Sequence, residues 1–399
     1  MNLVSVQPIS RIENPKKFKK DFVLFPWNIY RSTENKESDW AKVWCPPLIL
    51  DMMSKFHPRQ NAKLARIEHQ AFVAYRNGIP VGRVVAHVNQ GHLAEYQDAT
   101  GFFGFFECVD DKNVSEALFH SAAAWLKTKG MKRARGPFSF TLYDEWGWKC
   151  DGGPGFPAGY ETMSLVNIPH NPPYYNDLVV DFGFTKVQDA YNYHLNLRDG
   201  LSDKILRVAA FVEAKAQKSI GKISFRRGSF KHWGRDLALV HAIHENAWQG
   251  NWGSFSLTSE EVTHDGKDLK LILKEDLVHF AFVNGEVAGM ILGLPDVNEI
   301  LANANGKLFP FTLLKLLWRL HVTGKWKRGR CVILGVKKEF QGKGLEAPLI
   351  VKLFKSGQKA GCGDIELGWI LESNQKMRQV IEPFTNGVWM TFRAYEKNL

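Results

Sequence analysis

Residues 336 to 345 read Val-Lys-Lys-Glu-Phe-Gln-Gly-Lys-Gly-Leu, two glycines and three lysines within ten positions. Glycines let consecutive backbone N–H groups turn outward together, and a helix starting just beyond them adds the positive end of its dipole. Such a turn is a seat for a phosphate or a diphosphate. Its candidate residues are Gln341, Gly342, Lys343, Gly344 and Leu345, with Gly335, Val336 and Lys337 leading in. A second chemistry-bearing residue is Glu366, an ionisable group between Ile365 and Leu367 in an otherwise apolar run. A carboxylate in such a place is either paired or functional, because burying it alone is costly. The five cysteines are odd in number and lack C-x-x-C spacing, so they read as free thiols, and no metal is expected.

These residues need elements to hold them. Cys331–Gly335 reads as a buried strand. Leu345–Lys359 reads as a helix whose apolar face is Leu345, Leu349, Ile350, Leu353 and Phe354. Pro348 fits the first helical turn, where a missing N–H costs nothing. Asp364–Leu371 is a further strand, Asn374 a cap for the next helix, and Val388–Tyr395 an alternating last strand. Upstream, Val278–Leu294 is two apolar runs joined by Asn284-Gly285, a hairpin signal.

With those residues in view, the last 180 or so positions resemble the GNAT superfamily of acyl-CoA-dependent N-acyltransferases. In that family a Gln/Arg-x-x-Gly-x-Gly/Ala turn wraps the diphosphate of coenzyme A. Gln341 and Gly344 match it, while Glu346 stands where Gly or Ala is expected. The resemblance implies that Gly335 and Val336 pair with the pantetheine arm, that the co-substrate is acetyl-CoA or a longer acyl-CoA, and that Asn374 belongs to its site. The tyrosine that often serves as acid six residues after that Asn is Val380 here. Tyr395 is then the candidate acid and Glu366 the candidate base or acceptor anchor. An alkyl amine with a pKa of about 10 is only roughly one part in a thousand neutral at pH 7, so its activation must offset roughly 4 kcal/mol.

The first half repeats the grammar: Gln70–His87 with Asn77-Gly78 at its turn, the strand Gly101–Cys108, the helix Val114–Lys129, and Asn171 and Tyr175 as analogues of the terminal unit. Its turn, Val109-Asp110-Asp111-Lys112-Asn113, has no glycine and two carboxylates, so it cannot cradle a diphosphate. The expected fold class is therefore α/β (α+β): two tandem GNAT-like domains, each a mixed, mostly antiparallel twisted sheet flanked by helices. Residues 1–200 form the degenerate copy and residues 201–399 the cofactor-binding copy, with the join near Asp199-Gly200. The irregular stretch 141–160, rich in glycine and aromatics (Tyr143, Trp146, Trp148, Phe156), is expected to close over the acceptor.

Composition narrows the partners. The formal charge is +11 from 52 basic and 41 acidic residues, which suits CoA, an acyl carrier protein or RNA. No broad face interleaves basic and aromatic residues, so nucleic acid is not expected. Lys325–Arg330 reads as a solvated loop and His321 as surface. No run is long and apolar enough to span a membrane, and no signal-peptide block opens the chain, so the expected compartment is the cytoplasm. The acceptor is expected to be a small-molecule or peptide amine. Two other readings stay open: a non-catalytic acyl-CoA sensor, favoured by Glu346 and Val380, and a tRNA-dependent aminoacyl transferase, permitted by the charge.

Overall fold

The computed structural model describes residues 3–152, 159–198 and 200–399. Among the described residues seven strands lie in the first half: β1 (Val4–Ile9), β2 (Ile67–Arg76), β3 (Ile79–Asn89), β4 (Thr100–Cys108), β5 (Arg133–Gly136), β6 (Trp148–Gly152) and β7 (Thr185–Asn196). Six follow: β8 (Ile223–Arg227), β9 (Val278–Val283), β10 (Glu286–Pro295), β11 (Arg328–Val336), β12 (Asp364–Leu371) and β13 (Val388–Asn398). The chain forms two compact units. One comprises Met1–Ala190, Asn298–Thr312 and Met390–Leu399; the other comprises Tyr191–Val297 and Leu313–Trp389.

In the first unit β1 to β4 are antiparallel neighbours, β5 lies parallel to β4, and β13 runs antiparallel to β5 and β6. The helix Lys112–Thr128 covers one face, burying Leu118, Phe119 and Leu126 against Val84, Phe103 and Phe106. The other face is covered by Phe18, Phe22 and Phe56, which meet Phe105 and Phe140. In the second unit β8, β9, β10 and β11 are antiparallel and β12 joins β11 in parallel. The helix Glu346–Lys359 packs on β9 and β10 with Leu349, Ile350, Leu353 and Phe354 inward.

Both Asn-Gly hairpins form as their residues require. Asn77 and Gly78 have φ of 52° and 76°, and Asn284 and Gly285 of 51° and 88°. Positive φ at both central positions is the turn that matches strand twist. The helix Asp203–Ile220 starts at Ser202, whose hydroxyl accepts from the Ile205 N–H at 3.3 Å.

Two expectations about organisation change. The division between units falls within β7 at Ala190/Tyr191 rather than near residue 200, and Asp199 lies outside the described residues. The last strand joins the first unit: Tyr395 pairs with Gly136 and Asn398 with Arg133, because β5 offers an open antiparallel edge. In the stretch 141–160, Trp148–Gly152 is strand and Trp146 is buried at 2% exposure. Asp144 takes the Lys63 ammonium at 2.5 Å and the Thr141 hydroxyl at 2.6 Å, which fastens this end of the stretch into its unit. Residues 153–158, Phe156 among them, lie outside the described residues.

Candidate functional site

The second unit splits its sheet in one place. β11 and β12 pair in parallel only from Arg328/Asp364 to Cys331/Leu367, although β11 runs on to Val336 and β12 to Leu371. A bulge starts the split. Against β10, Leu292 pairs with Ile333 but Gly293 with Cys331, leaving Val332 as the extra residue. A bulge bends and twists its own strand, so it carries the end of β11 away from β12.

At the end of β11 the turn closes on itself. The Lys337 N–H donates to Ala288 O at 2.8 Å, and the Gln341 side-chain amide donates to Val336 O at 2.9 Å. Gln341 thus braces the turn with its side chain. Lys337 pairs with Glu286 at 3.0 Å. Gly342 and Gly344 have φ of 69° and 90°. A Cβ on Gly342 would meet nothing within 4 Å, whereas one on Gly344 would lie 2.3 Å from Val212 Cγ1. The first glycine therefore faces open space and the second a close-packed neighbour. No side chain caps the helix Glu346–Lys359 at Leu345, so its opening N–H groups have no side-chain acceptor. Leu345 is fully buried, so only its backbone is available to a ligand. Glu346 is 9% exposed, so its carboxylate is not spread over the open side of the turn. Lys343 is exposed, and Asn374 caps its helix by accepting from the Met377 N–H at 3.1 Å. An open glycine turn ahead of an uncapped helix fits a diphosphate.

Glu366 sits at the base of the split. It is 2% exposed, accepts from the Asn192 side-chain amide, and is the register partner of Arg330, itself 2% exposed. The Arg330 guanidinium lies 4.8 Å over the Trp369 ring and donates to Gly368 O at 3.2 Å. β7 approaches closely here: a Cβ on Gly368 would fall 1.9 Å from Asn192 Oδ1. Glu366 is thus part of a buried charged cluster beside the parted strands.

The structure brings Gly335, Val336, Lys337, Gln341, Gly342, Lys343, Gly344 and Leu345 together at one strand end. Tyr395 belongs elsewhere. It lies in the core of the first unit at 2% exposure, and its hydroxyl donates to Asn176 Oδ1 at 2.8 Å, so its candidacy as the acid of the second unit is withdrawn. Trp248 went unnoticed in the sequence: it covers Gly335, where a Cβ would lie 2.3 Å from its ring. His244 stacks on Trp248 with centroids 5.4 Å apart, and burial lowers its pKa, favouring the neutral imidazole. The sequence signal for the pair is their spacing of four, His244 on the helix Trp233–Ala247 and Trp248 at its C-terminal cap.

The first unit has the same bulge and split without the seat. Its pairing shifts between Arg83/Glu107 and Val85/Gly104, with Phe105 at φ 50°, and β4 pairs with β5 over only three residues. Asp111 accepts from the Asn113 N–H at 2.9 Å and from Arg76 at 2.5 Å, so a carboxylate already occupies that helix start. Glu107 accepts from the Tyr175 hydroxyl at 2.7 Å, and burial pushes its pKa up to about 7. Among the described residues no group of three or more His, Cys, Asp and Glu is placed to hold a metal ion.

No family model matches the chain. Protein YghO of Escherichia coli (strain K12) is 29% identical over 402 positions, covering 100% of this chain and 97% of that one. A bacterial ceramide synthase of Caulobacter vibrioides is 29% identical over 397 positions, covering 97% and 96%. Among solved structures, a tandem GNAT protein from the clavulanic acid biosynthesis pathway superposes with a TM-score of 0.55 over 99% of this chain and 98% of its own, at 11% identity. A fungal GCN5-related glucosamine N-acetyltransferase region matches with a TM-score of 0.52 at 12% identity, covering 100% of this chain and 38% of that one. The chain has the tandem GNAT fold.

Proposed function

We propose that the second unit binds an acyl-CoA where β11 and β12 part and that the protein transfers the acyl group to an amine. The carrying observation is the junction of that split with the open Gly342 turn and the uncapped helix after it. The backbone amides of residues 342 to 345 would take the diphosphate, with Lys343 adding charge. Gly335 and Val336, at the unpaired end of β11, would offer main-chain groups to the pantetheine amides and a donor to the thioester oxygen.

In the reaction the amine nitrogen attacks the thioester carbonyl, the C–N bond forms and the C–S bond breaks. His244, kept neutral by burial, is the candidate base for the ammonium proton. A thiol of pKa about 8.5 leaves readily as thiolate, so a dedicated acid is dispensable. Tyr193 does not supply one, since its hydroxyl donates to Glu382 at 3.0 Å and burial pushes its pKa up to about 12. A ceramide is the amide formed when the nitrogen of a long-chain amine takes an acyl chain. The likeness to a ceramide synthase therefore supports a long-chain amine as acceptor and a long acyl chain as donor.

Gly342 provides the test, because its open surroundings separate charge from packing. Replacing it by Asn and by Asp imposes the same backbone demand, and both residues tolerate positive φ. CoA should raise the melting temperature of the wild type and of Gly342→Asn, while Gly342→Asp should bind at least about tenfold more weakly than the Asn variant. Equal CoA affinity of the two variants refutes the diphosphate seat. Release of free thiol from an acyl-CoA on adding long-chain amines then tests transfer itself.

A further inference from the structure

Fifteen large apolar side chains are exposed among the described residues, and six of them fall between residues 309 and 322: Phe309, Phe311, Leu314, Leu317, Trp318 and Val322. Phe309 precedes the helix Phe311–Trp318, and the other five are carried by that helix and the wider turn Arg319–Thr323 that continues it. Leu316 and Leu320 are buried at 6% and 5% and hold this segment to the protein. Leu314, Trp318 and Val322 recur every four residues and line the side away from it, at 62%, 56% and 69% exposure. A folded protein rarely leaves such a contiguous apolar strip to water without a partner.

The charge around the strip says which partner. From Lys307 to Arg330 the chain has seven Lys and Arg residues and no Asp or Glu. Lys315, Lys325 and Lys327 among them are exposed. Phe and Trp over Leu and Val, edged by lysines, is the composition of a helix lying in the plane of a bilayer. No helix among the described residues is long and apolar enough to cross a membrane, and eight residues reach far less than its hydrocarbon thickness. A second copy on the same strip would set these lysines against their own symmetry mates.

We propose that residues 313–323 of the second unit dock the protein onto the surface of an anionic lipid bilayer, with Leu314, Trp318 and Val322 entering the headgroup boundary and the lysines meeting lipid phosphates. The inference is independent of the acyl-transfer reading, and its readout is physical binding.

The full chain is sedimented with vesicles of phosphatidylcholine alone and of phosphatidylcholine with phosphatidylglycerol. Binding is expected to the anionic vesicles, at least about tenfold weaker to neutral ones, and to fall with salt. The triple variant Leu314→Ser, Trp318→Ser, Val322→Ser alters only exposed groups, so its melting temperature should hold while binding drops about tenfold or more. Lys315→Glu with Lys325→Glu should remove the preference for anionic lipid. Failure of the wild type to sediment with either vesicle overturns the proposal, as does unchanged binding by the triple variant. If light scattering instead shows a dimer that the triple variant dissolves, while vesicle binding is unaltered, the strip belongs to a second copy and the proposal is likewise overturned.

Discussion

Glu366 and Glu107 are both buried carboxylates on strands, and their neighbours give them different behaviour. Glu366 faces Arg330 across a parallel pair and takes an amide hydrogen from Asn192. Removing it by Glu366→Ala leaves the buried Asn192 amide without that acceptor, so chemical denaturation should show a loss of about 1–3 kcal/mol. Glu107 is different, since burial lifts it to about 7 from an ordinary 4.5. A raised carboxyl pKa means that the folded state holds the proton more tightly than the unfolded chain. Its contribution to stability is complete below about pH 4.5 and is lost as pH rises through about 7. The melting temperature of the wild type should therefore carry a downward component between about pH 5 and about pH 8, and Glu107→Gln should flatten it. An unchanged slope in the variant would place the proton elsewhere. Glu366 stood out in the sequence because it interrupts an apolar run. Glu107 did not, because its environment is made by Tyr30, Arg83 and Tyr175, residues remote along the chain.

Elements were legible where their signals were local. β12 spans Asp364–Leu371 as its apolar run predicts, and both Asn-Gly turns have the positive φ that their residues favour. What escaped was pairing. The alternation of Val388–Tyr395 marks a strand but carries no information about its neighbour, so its placement in the first unit, and with it the role of Tyr395, could not be read. Nor could Trp248, whose place depends on the side chain that Gly335 lacks. Gly335→Ala tests this packing, since its methyl would meet the indole ring and a loss of about 1–3 kcal/mol in denaturant midpoint is expected. If acyl-CoA lies along β11, displacing Trp248 should also weaken its binding; an unaltered melting shift with CoA would separate the two.

For the whole molecule, both units have a bulge and a split, and the second has the glycine turn. The carboxylate of Asp111 at the helix start of the first unit does internally what a bound anion would do in the second. Deleting residues 390–399 should therefore injure the half of the chain that lies far from them in sequence. Limited proteolysis is expected to open cleavage sites within residues 1–190, through loss of the pairs Tyr395 makes with Gly136 and Asn398 with Arg133. Cleavage confined to residues 201–389 would contradict that assignment.

The membership of β13 also bears on the order of events at the ribosome. Residues 390–398 leave the peptidyl-transferase centre long after β5 and β6, which emerge with unsatisfied edges and must wait while some 240 further residues are made. A waiting edge invites foreign strands, and nascent chains stalled before that point should be the form of this protein most dependent on chaperones.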